Sequence, residues 1–235
     1  AFYRAGKVLT HSINSNGAIG DELQSIATAE RAHAIVPDPT GRYWFVPHTR
    51  PNAIFQFRFE NQTQRLVHNK PSKLLRQPNT GPRHLGFHPS LDIAYTSDEQ
   101  GRSVSTYAFD SAKGTLSLQQ TLSTLPGDHD HTQPSSTSHI EVHPSGQFVY
   151  VANRGHDSIA RYSVNTDNGM LKRLGNTPTE QTTRSFNIAP SGRVLIAAGQ
   201  ASGNLAIFQI NPKNGDLKRL NTVSAGSAPW WVLIK

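Results

Sequence analysis

One short turn sequence returns along this chain at nearly even spacing. Pro39-Thr40-Gly41-Arg42 recurs as Pro144-Ser145-Gly146-Gln147 and as Pro190-Ser191-Gly192-Arg193, with a degraded copy at Pro89-Ser90-Leu91-Asp92. The four prolines stand 50, 55 and 46 residues apart. A second marker, a Gly-x-Leu step that follows an aromatic strand, ends at Ile19, Leu66, Leu116, Leu171 and Leu217, at intervals of 47, 50, 55 and 46. Its last three intervals match the proline series in order, including the longer one. Two markers that keep step in this way define a repeated structural unit, and such periods belong to arrays of supersecondary units.

Each unit reads as four short strands. The proline turn is followed by Tyr43-Trp44-Phe45-Val46, Ile93-Ala94-Tyr95-Thr96, Phe148-Val149-Tyr150-Val151 and Val194-Leu195-Ile196-Ala197, β-branched or aromatic runs bounded by turn residues. Period-two segments come next, at Ile54-Phe55-Gln56-Phe57, Ser105 to Phe109, Ile159 to Val164 and Leu205 to Ile210; a half-buried strand requires that alternation. A strand precedes each proline (Ala34 to Val36, His84 to Phe87, Ile140 to Val142, Phe186 to Ile188), and a fourth follows the Gly-x-Leu marker, as in Leu116-Ser117-Leu118-Gln119. Pro and Gly punctuate the junctions, and no segment sustains a 3.6-residue amphipathic pattern. A sandwich would also be all-β, but it needs no repeat period. The expected fold is an all-β β-propeller of four-stranded antiparallel blades. Its one domain divides into the outer strands of a partial blade over 1–32, full repeats over 33–81, 82–137, 138–183 and 184–227, and the innermost strand of a closing blade over 228–235.

Composition narrows the function classes. The 235 residues contain no cysteine, which excludes a disulfide scaffold, a thiolate zinc site and a cysteine nucleophile together. No apolar run approaches the ~20 residues of a membrane-spanning helix. Arg4 and Lys7 interrupt the stretch Ala1–Thr10, where a signal peptide would be apolar. The expected location is a reducing cytoplasm, with no membrane partner. The formal charge is +7, from 23 Lys and Arg against 16 Asp and Glu. Those basic residues are dispersed and form no zinc-finger, RRM or basic-helix pattern, so nucleic acid is not an expected partner. A small anionic ligand suits the same surplus.

The repeat also selects residues. Six positions before each proline stand His33, Arg83, Ser138 and Arg184, at the start of the innermost strand, which borders the central channel. Three positions before it stand Val36, Gly86, Glu141 and Asn187. Glu141 is the one acidic residue in that register, and a carboxylate on an apolar inner strand is costly unless paired. Spacing alone leaves two readings open. Glu141, Arg83 and Arg184 form a site at the channel mouth, or an inter-blade salt-bridge network that only stabilises the ring.

Several stretches beyond the repeat markers carry a family resemblance. They are Gly81-Pro82-Arg83-His84-Leu85-Gly86-Phe87-His88-Pro89, Ser123-Thr124-Leu125-Pro126, His139-Ile140-Glu141-Val142-His143-Pro144-Ser145-Gly146, Ala152-Asn153-Arg154-Gly155-His156-Asp157-Ser158-Ile159, Arg184-Ser185-Phe186-Asn187-Ile188, Ala197-Ala198-Gly199-Gln200 and Pro229-Trp230-Trp231-Val232. Together they resemble the seven-bladed propeller lactonase family, which includes bacterial 6-phosphogluconolactonase and fungal carboxymuconate cyclase, the bacterial branch more closely. The resemblance implies a seven-bladed design, of which this chain holds about five blades' worth and lacks about two at its N-terminus. Exposed blade faces would then drive homo-oligomerisation.

The same resemblance implies catalytic roles for His33, Arg83, Glu141 and Arg184, and substrate binding by Arg83, Arg184, Asn187 and His84. The implied reaction is hydrolysis of a small anionic sugar-acid lactone, 6-phosphogluconolactone to 6-phosphogluconate in the pentose phosphate pathway, without cofactor or metal. A carboxymuconate-type lactonizing cyclase and a non-catalytic binding platform or inactive fragment are the alternatives. Lactone hydrolysis needs a base to activate water and a cation where the oxyanion develops. Glu141 suits the base, Arg83 and Arg184 the anion and oxyanion, and His33 a proton carrier near neutral pH.

The remaining features read as structure. Asp128-His129-Asp130-His131, followed by His139 and His143, has metal-ligand residue types but reads as a solvated loop. The insertion 126–137 accounts for the 55-residue interval and reads as a lid over the channel mouth. Trp230 and Trp231 are expected to pack between blades, and Asn153-Arg154-Gly155-His156 to form an inter-strand turn. The sequon Asn61-Gln62-Thr63 has no export signal to support it.

Overall fold

A computed structural model describes residues 1–130 and 132–235. Strands β1 (Lys7–Ile13) and β2 (Ile19–Ala27) form a two-stranded antiparallel sheet. Four four-stranded meanders follow: β3 (Val36–Pro37), β4 (Tyr43–His48), β5 (Ala53–Glu60) and β6 (Arg65–Leu75); β7 (Pro82–Phe87), β8 (Ile93–Asp98), β9 (Ser103–Asp110) and β10 (Thr115–Ser123); β11 (Ser136–Val142), β12 (Phe148–Arg154), β13 (Ser158–Val164) and β14 (Leu171–Pro178); β15 (Thr183–Ile188), β16 (Val194–Gly199), β17 (Asn204–Ile210) and β18 (Leu217–Ser224). Within each meander the strands pair in chain order, which is the blade of a propeller. No helix among the described residues is long and apolar enough to cross a membrane.

The apolar core lies between blades rather than inside them. A sheet that is apolar on both faces must be covered on both, and each blade here covers its neighbour. Tyr43, Phe45 and Ile54 of the β3–β6 blade pack with Leu85, Tyr107 and Leu116 of the next. Tyr95 and Val104 pack with Val149, Val151 and Tyr162 across the following junction. Phe148 and Tyr150 pack with Phe186, Leu195 and Phe208 across the last. Val8 of β1 joins Val46, Phe55 and Phe57 in a fourth cluster. Burying one such side chain contributes roughly 1.5–3 kcal/mol.

Polar fasteners set how the blades meet. Gln24 of β2 donates through Nε2 to the Leu66 carbonyl at 2.8 Å and accepts the Leu66 N–H at 2.9 Å. Gln120 of β10 grips Leu171 the same way, at 3.0 and 2.9 Å. At the junction between them Gln56 accepts the Leu116 N–H at 2.9 Å, and at the last junction Arg161 pairs with Asp216 beside Leu217. The Gly-x-Leu marker is thus the point where one blade grips the next. Gln64 replaces the marker glycine in one repeat and adopts the same left-handed backbone, with φ of 56°.

The proline turn carries the second fastener. His88 Nε2 bonds the Gly146 carbonyl at 3.0 Å, and His143 Nε2 bonds the Gly192 carbonyl at 2.8 Å. A Cβ at Gly146 or Gly192 would stand 2.6 or 2.7 Å from the histidine ring. The degraded turn, with Leu91 in place of glycine, faces a blade whose corresponding residue is Asp38. Asp38 instead caps its own turn, accepting from the Thr40 hydroxyl at 2.6 Å and the Tyr43 N–H at 2.8 Å. Histidine and receiving glycine are therefore lost together.

Two expectations change. The inner strand of the first full blade is only Val36–Pro37, and Ala34 and Ile35 lie outside it. The expected innermost strand over 228–235 has no strand pairing. An inner strand is made by a second strand beside it, and the described residues supply none there. The Val232 and Ile234 N–H groups donate instead to Ser185 Oγ at 3.3 Å and Asn187 Oδ1 at 2.7 Å.

Two alanine substitutions separate backbone strain from the fastener. Gly41 has φ of 71° with open space where a Cβ would stand, whereas Gly192 has φ of 69° with the His143 ring in the way. Gly41→Ala is expected to cost about 1 kcal/mol. Gly192→Ala is expected to cost about 2–4 kcal/mol, because the His143 hydrogen bond must also break. Denaturant unfolding of the two variants measures the difference.

Candidate active site

The inner strands bring the site together by bending at one place. The β7–β8 ladder slips register between Pro82 and His84, the β11–β12 ladder between Thr137 and Ile140, and the β15–β16 ladder between Thr183 and Ser185. Each slip falls at the register six residues before the repeat proline, that of Arg83, Ser138 and Arg184. Bulges re-aim side chains and are frequent beside active sites. His33 completes the set from the first blade, anchored by its N–H to the Pro47 carbonyl at 2.9 Å.

His33, Arg83 and Arg184 line one cleft of about 400 Å³, together with Glu99, Arg154 and Trp230. Arg83 is 1% exposed. It donates through Nε to Glu99 Oε2 at 2.9 Å and through Nη1 to the Ser138 carbonyl at 2.6 Å. Arg154 Nη2 stands 3.4 Å from the same Glu99 oxygen and donates to the Thr137 carbonyl at 3.1 Å. Arg184 lies over the Trp230 ring, 4.0 Å from its centroid, a favourable cation–π position. Tyr3 and Arg4 also line the cleft.

Three guanidiniums thus converge on a single carboxylate, and their groups record the excess. Burial, then the neighbouring Arg154, pushes the Arg83 guanidinium down to about 9. Burial and Arg154 lower Arg184 as well. Both stay cationic at neutral pH, and an entering anion would relieve their repulsion. Burial, followed by Arg83, Arg184 and Arg154, drives His33 down to about 3. His33 is therefore neutral throughout the ordinary pH range, which corrects the expectation of a proton carrier near neutrality. Its Nδ1 is buried and has no hydrogen-bond partner among the described residues.

Glu141 does not line this cleft. Its Oε1 accepts from Asn187 Nδ2 at 2.6 Å and lies 3.2 Å from His139 Nε2, while Oε2 accepts the Ile188 N–H at 2.8 Å. No arginine among the described residues pairs with it. The carboxylate that neutralises arginine is Glu99, so the salt-bridge reading named the wrong acid. Asn187 is likewise occupied, donating its amide N–H to Glu141 and accepting the Ile234 N–H on Oδ1. His84 bridges the two groups: its Nδ1 lies 2.7 Å from His139 Nδ1, and its ring centroid 4.9 Å from that of His33.

Glu99, Arg154 and His139 escaped the inner-strand register. A second register holds two of them, because Thr49, Glu99, Arg154 and Gln200 all stand ten residues after a repeat proline. Arg154 ends β12, so the expected turn contains a cleft residue. Trp230 and Trp231 are 57% and 61% exposed and pack against site side chains rather than between blades. Trp231 sits edge-on to His84 and His139, with centroids 6.0 and 5.1 Å apart. In the histidine- and aspartate-rich loop, His129 lies edge-on to His156 at 5.2 Å; His131 lies outside the described residues.

The chain as a whole is similar to known proteins. Residues 1–234 match the family model described as lactonase, 7-bladed beta-propeller. The chain is 31% identical over 187 residues to a protein of Pectobacterium carotovorum named 6-phosphogluconolactonase, covering 80% of this chain and 55% of that one. It is 32% identical over 185 residues to a Cronobacter sakazakii protein of the same name, covering 79% and 54%. The solved periplasmic gluconolactonase of Pseudomonas aeruginosa superposes with a TM-score of 0.87 at 25% identity, over 94% of this chain and 64% of that one. The chain spans about half the length of the curated relatives it matches.

The arginines' hold on His33 is measurable by NMR titration of the imidazole Cε1–H. His33 is expected to stay neutral down to about pH 3. Arg184→Gln removes a cation that disfavours the imidazolium, so it should raise the His33 pKa, as should saturating inorganic phosphate. An ordinary histidine titration near 6.5 in the unmodified protein would contradict this electrostatic account.

Proposed function

The chain belongs to the seven-bladed β-propeller lactonase family, and from that premise we propose that the protein hydrolyses the lactone of a phosphorylated sugar acid, 6-phosphogluconolactone, to 6-phosphogluconate. The observation that carries this reading is the cleft that Arg83, Arg154 and Arg184 line with the single carboxylate of Glu99, which pairs with the first two. An uncharged lactone has no use for that surplus. A phosphate dianion neutralises it, and guanidinium matches phosphate geometry bidentately.

The residues divide the work by burial. Arg154 and Arg184 are the more accessible cations and seat the phosphate. Arg83, buried and held on two sides, is already oriented toward the place where the carbonyl oxygen gains charge, and a preorganised cation in a water-poor site stabilises an oxyanion strongly. Water attacks the carbonyl carbon, the ring C–O bond breaks, and the released alkoxide takes a proton. His33 lines the cleft, and His84 connects it to the His139–Glu141 pair. A phosphorylated substrate does not cross a bilayer unaided, which favours a cytoplasmic setting for the reaction.

Steady-state kinetics with 6-phosphogluconolactone and with unphosphorylated glucono-δ-lactone tests the reading. The phosphorylated substrate is expected to have a kcat/KM at least 100-fold higher, because two charge-assisted contacts contribute roughly 1.5–3 kcal/mol each. Arg154→Ala and Arg184→Ala should each raise KM about 10-fold or more for that substrate and change little for the other. Equal kcat/KM for the two lactones would refute the phosphate assignment.

A further inference from the structure

We infer that His84 and His139 form a two-ring relay that moves a proton away from the arginine cleft as water attacks and holds it on His139, against the carboxylate of Glu141. The inference rests on the lactonase reading above and specifies where its base lies. Glu141 touches neither the cleft nor an arginine, yet three short steps connect it to the site. His139 Nε2 lies 3.2 Å from Glu141 Oε1, His84 Nδ1 lies 2.7 Å from His139 Nδ1, and His84 Nε2 lies 3.4 Å from Arg83 Nη1. His84 is half-buried and does not itself line the cleft; its ring lies edge-on to those of His33, which does, and of Trp231.

The hydrogen bonds determine the tautomers. An ionised carboxylate can only accept, so His139 carries its proton on Nε2. Neutral His139 is then bare at Nδ1 and accepts from His84, which must carry its own proton on Nδ1. His84 Nε2 is therefore left bare, with Arg83 Nη1 3.4 Å from it and 3.5 Å from Nδ1. Glu141 thus acts through two rings to present a proton-accepting nitrogen beside Arg83. By this reasoning His84 is the group that touches the reacting water, while His139 and Glu141 are positioning residues.

Electrostatics gives the relay its purpose. A proton resting in the cleft would face three guanidiniums, and His33 shows how strongly they oppose it. A proton on His84 is opposed first by burial, then by His139 from β11, Arg83 on its own strand, His33 from the first blade and Arg184 from β15. His139 is faced instead by the carboxylate of Glu141 on its own strand, by His84, and by the uncharged rings of Phe186 and Trp231. The step balances as follows. Water loses a proton to His84 Nε2, and its oxygen bonds to the lactone carbonyl carbon. The Nδ1 proton of His84 passes to His139 Nδ1, leaving His84 neutral in the opposite tautomer. His139 becomes an imidazolium paired with Glu141. The reverse transfer returns the proton to the ring alkoxide when the C–O bond breaks.

Long-range ¹⁵N–¹H NMR of the imidazole rings, with kinetics on the same samples, tests the relay. In the substrate-free protein His139 is expected to be protonated at Nε2 and His84 at Nδ1. Glu141→Gln removes the charge that fixes the His139 Nε2 proton, so both rings should become mixtures of tautomers. Glu141→Gln and His139→Gln should each lower kcat about 100-fold or more with KM within 3-fold, and should displace the acidic limb of the pH profile. A merely structural role would lower Tm and leave that limb in place for the folded enzyme. Wild-type turnover with His84 protonated at Nε2, or with tautomers and kcat unmoved in Glu141→Gln, would overturn the relay alone. Absence of wild-type turnover on either lactone would overturn the lactonase reading beneath it.

Discussion

Side chains at two recurring positions fasten blades of this protein to their neighbours' backbone, and both act between the β7–β10 and β11–β14 blades. Gln24 and Gln120 grip the N–H and carbonyl of Leu66 and Leu171, and His88 and His143 bond the turn glycines Gly146 and Gly192. The apolar contacts between blades supply most of the stabilisation, but they are tolerant of sliding. The fasteners are not, because a hydrogen bond weakens steeply with distance and angle. They set the register of one sheet against the next, and the inner strands inherit it.

That inherited register places the site. Arg83, Ser138 and Arg184 occur at one position of successive inner strands, each at a bulge, and so they converge although 101 residues separate the first from the last. Ser138 contributes its carbonyl, which holds Arg83. Its hydroxyl donates to the Thr183 carbonyl at 2.7 Å and links the third blade to the fourth. The cleft therefore concentrates cations at a point where backbone groups already constrain them. Its electrostatics follow from burial and crowding: burial, then the arginines, holds His33 neutral, and burial and Arg154 lower Arg83 and Arg184. Glu141, three residues further along its strand, lies outside the cleft and pairs with His139 rather than with an arginine.

The period of the repeat made the blade architecture legible, since proline turns, aromatic strands and Gly-x-Leu steps are local signals. The inner-strand register brought out His33, Arg83 and Arg184, and the structure gathers all three. What stayed hidden depends on side-chain reach across blades. Glu99 and Arg154 share a register of their own, but nothing local shows that both turn toward Arg83. Glu141 looked like a base because it is the lone acid on an inner strand; its saturation by Asn187 and the Ile188 N–H comes from a neighbouring blade. The segment 228–235 has the composition of a strand, yet a strand is a property of two segments.

The most direct measurement of the account is a crystal structure of the protein with 6-phosphogluconate bound. The account predicts the phosphate within about 4 Å of the guanidiniums of Arg154 and Arg184, the product carboxylate between Arg83 and His84, and Glu141 still bonded to His139 without touching the product. A phosphate bound outside the arginine cleft, or a Glu141 carboxylate in direct contact with the product, would contradict it.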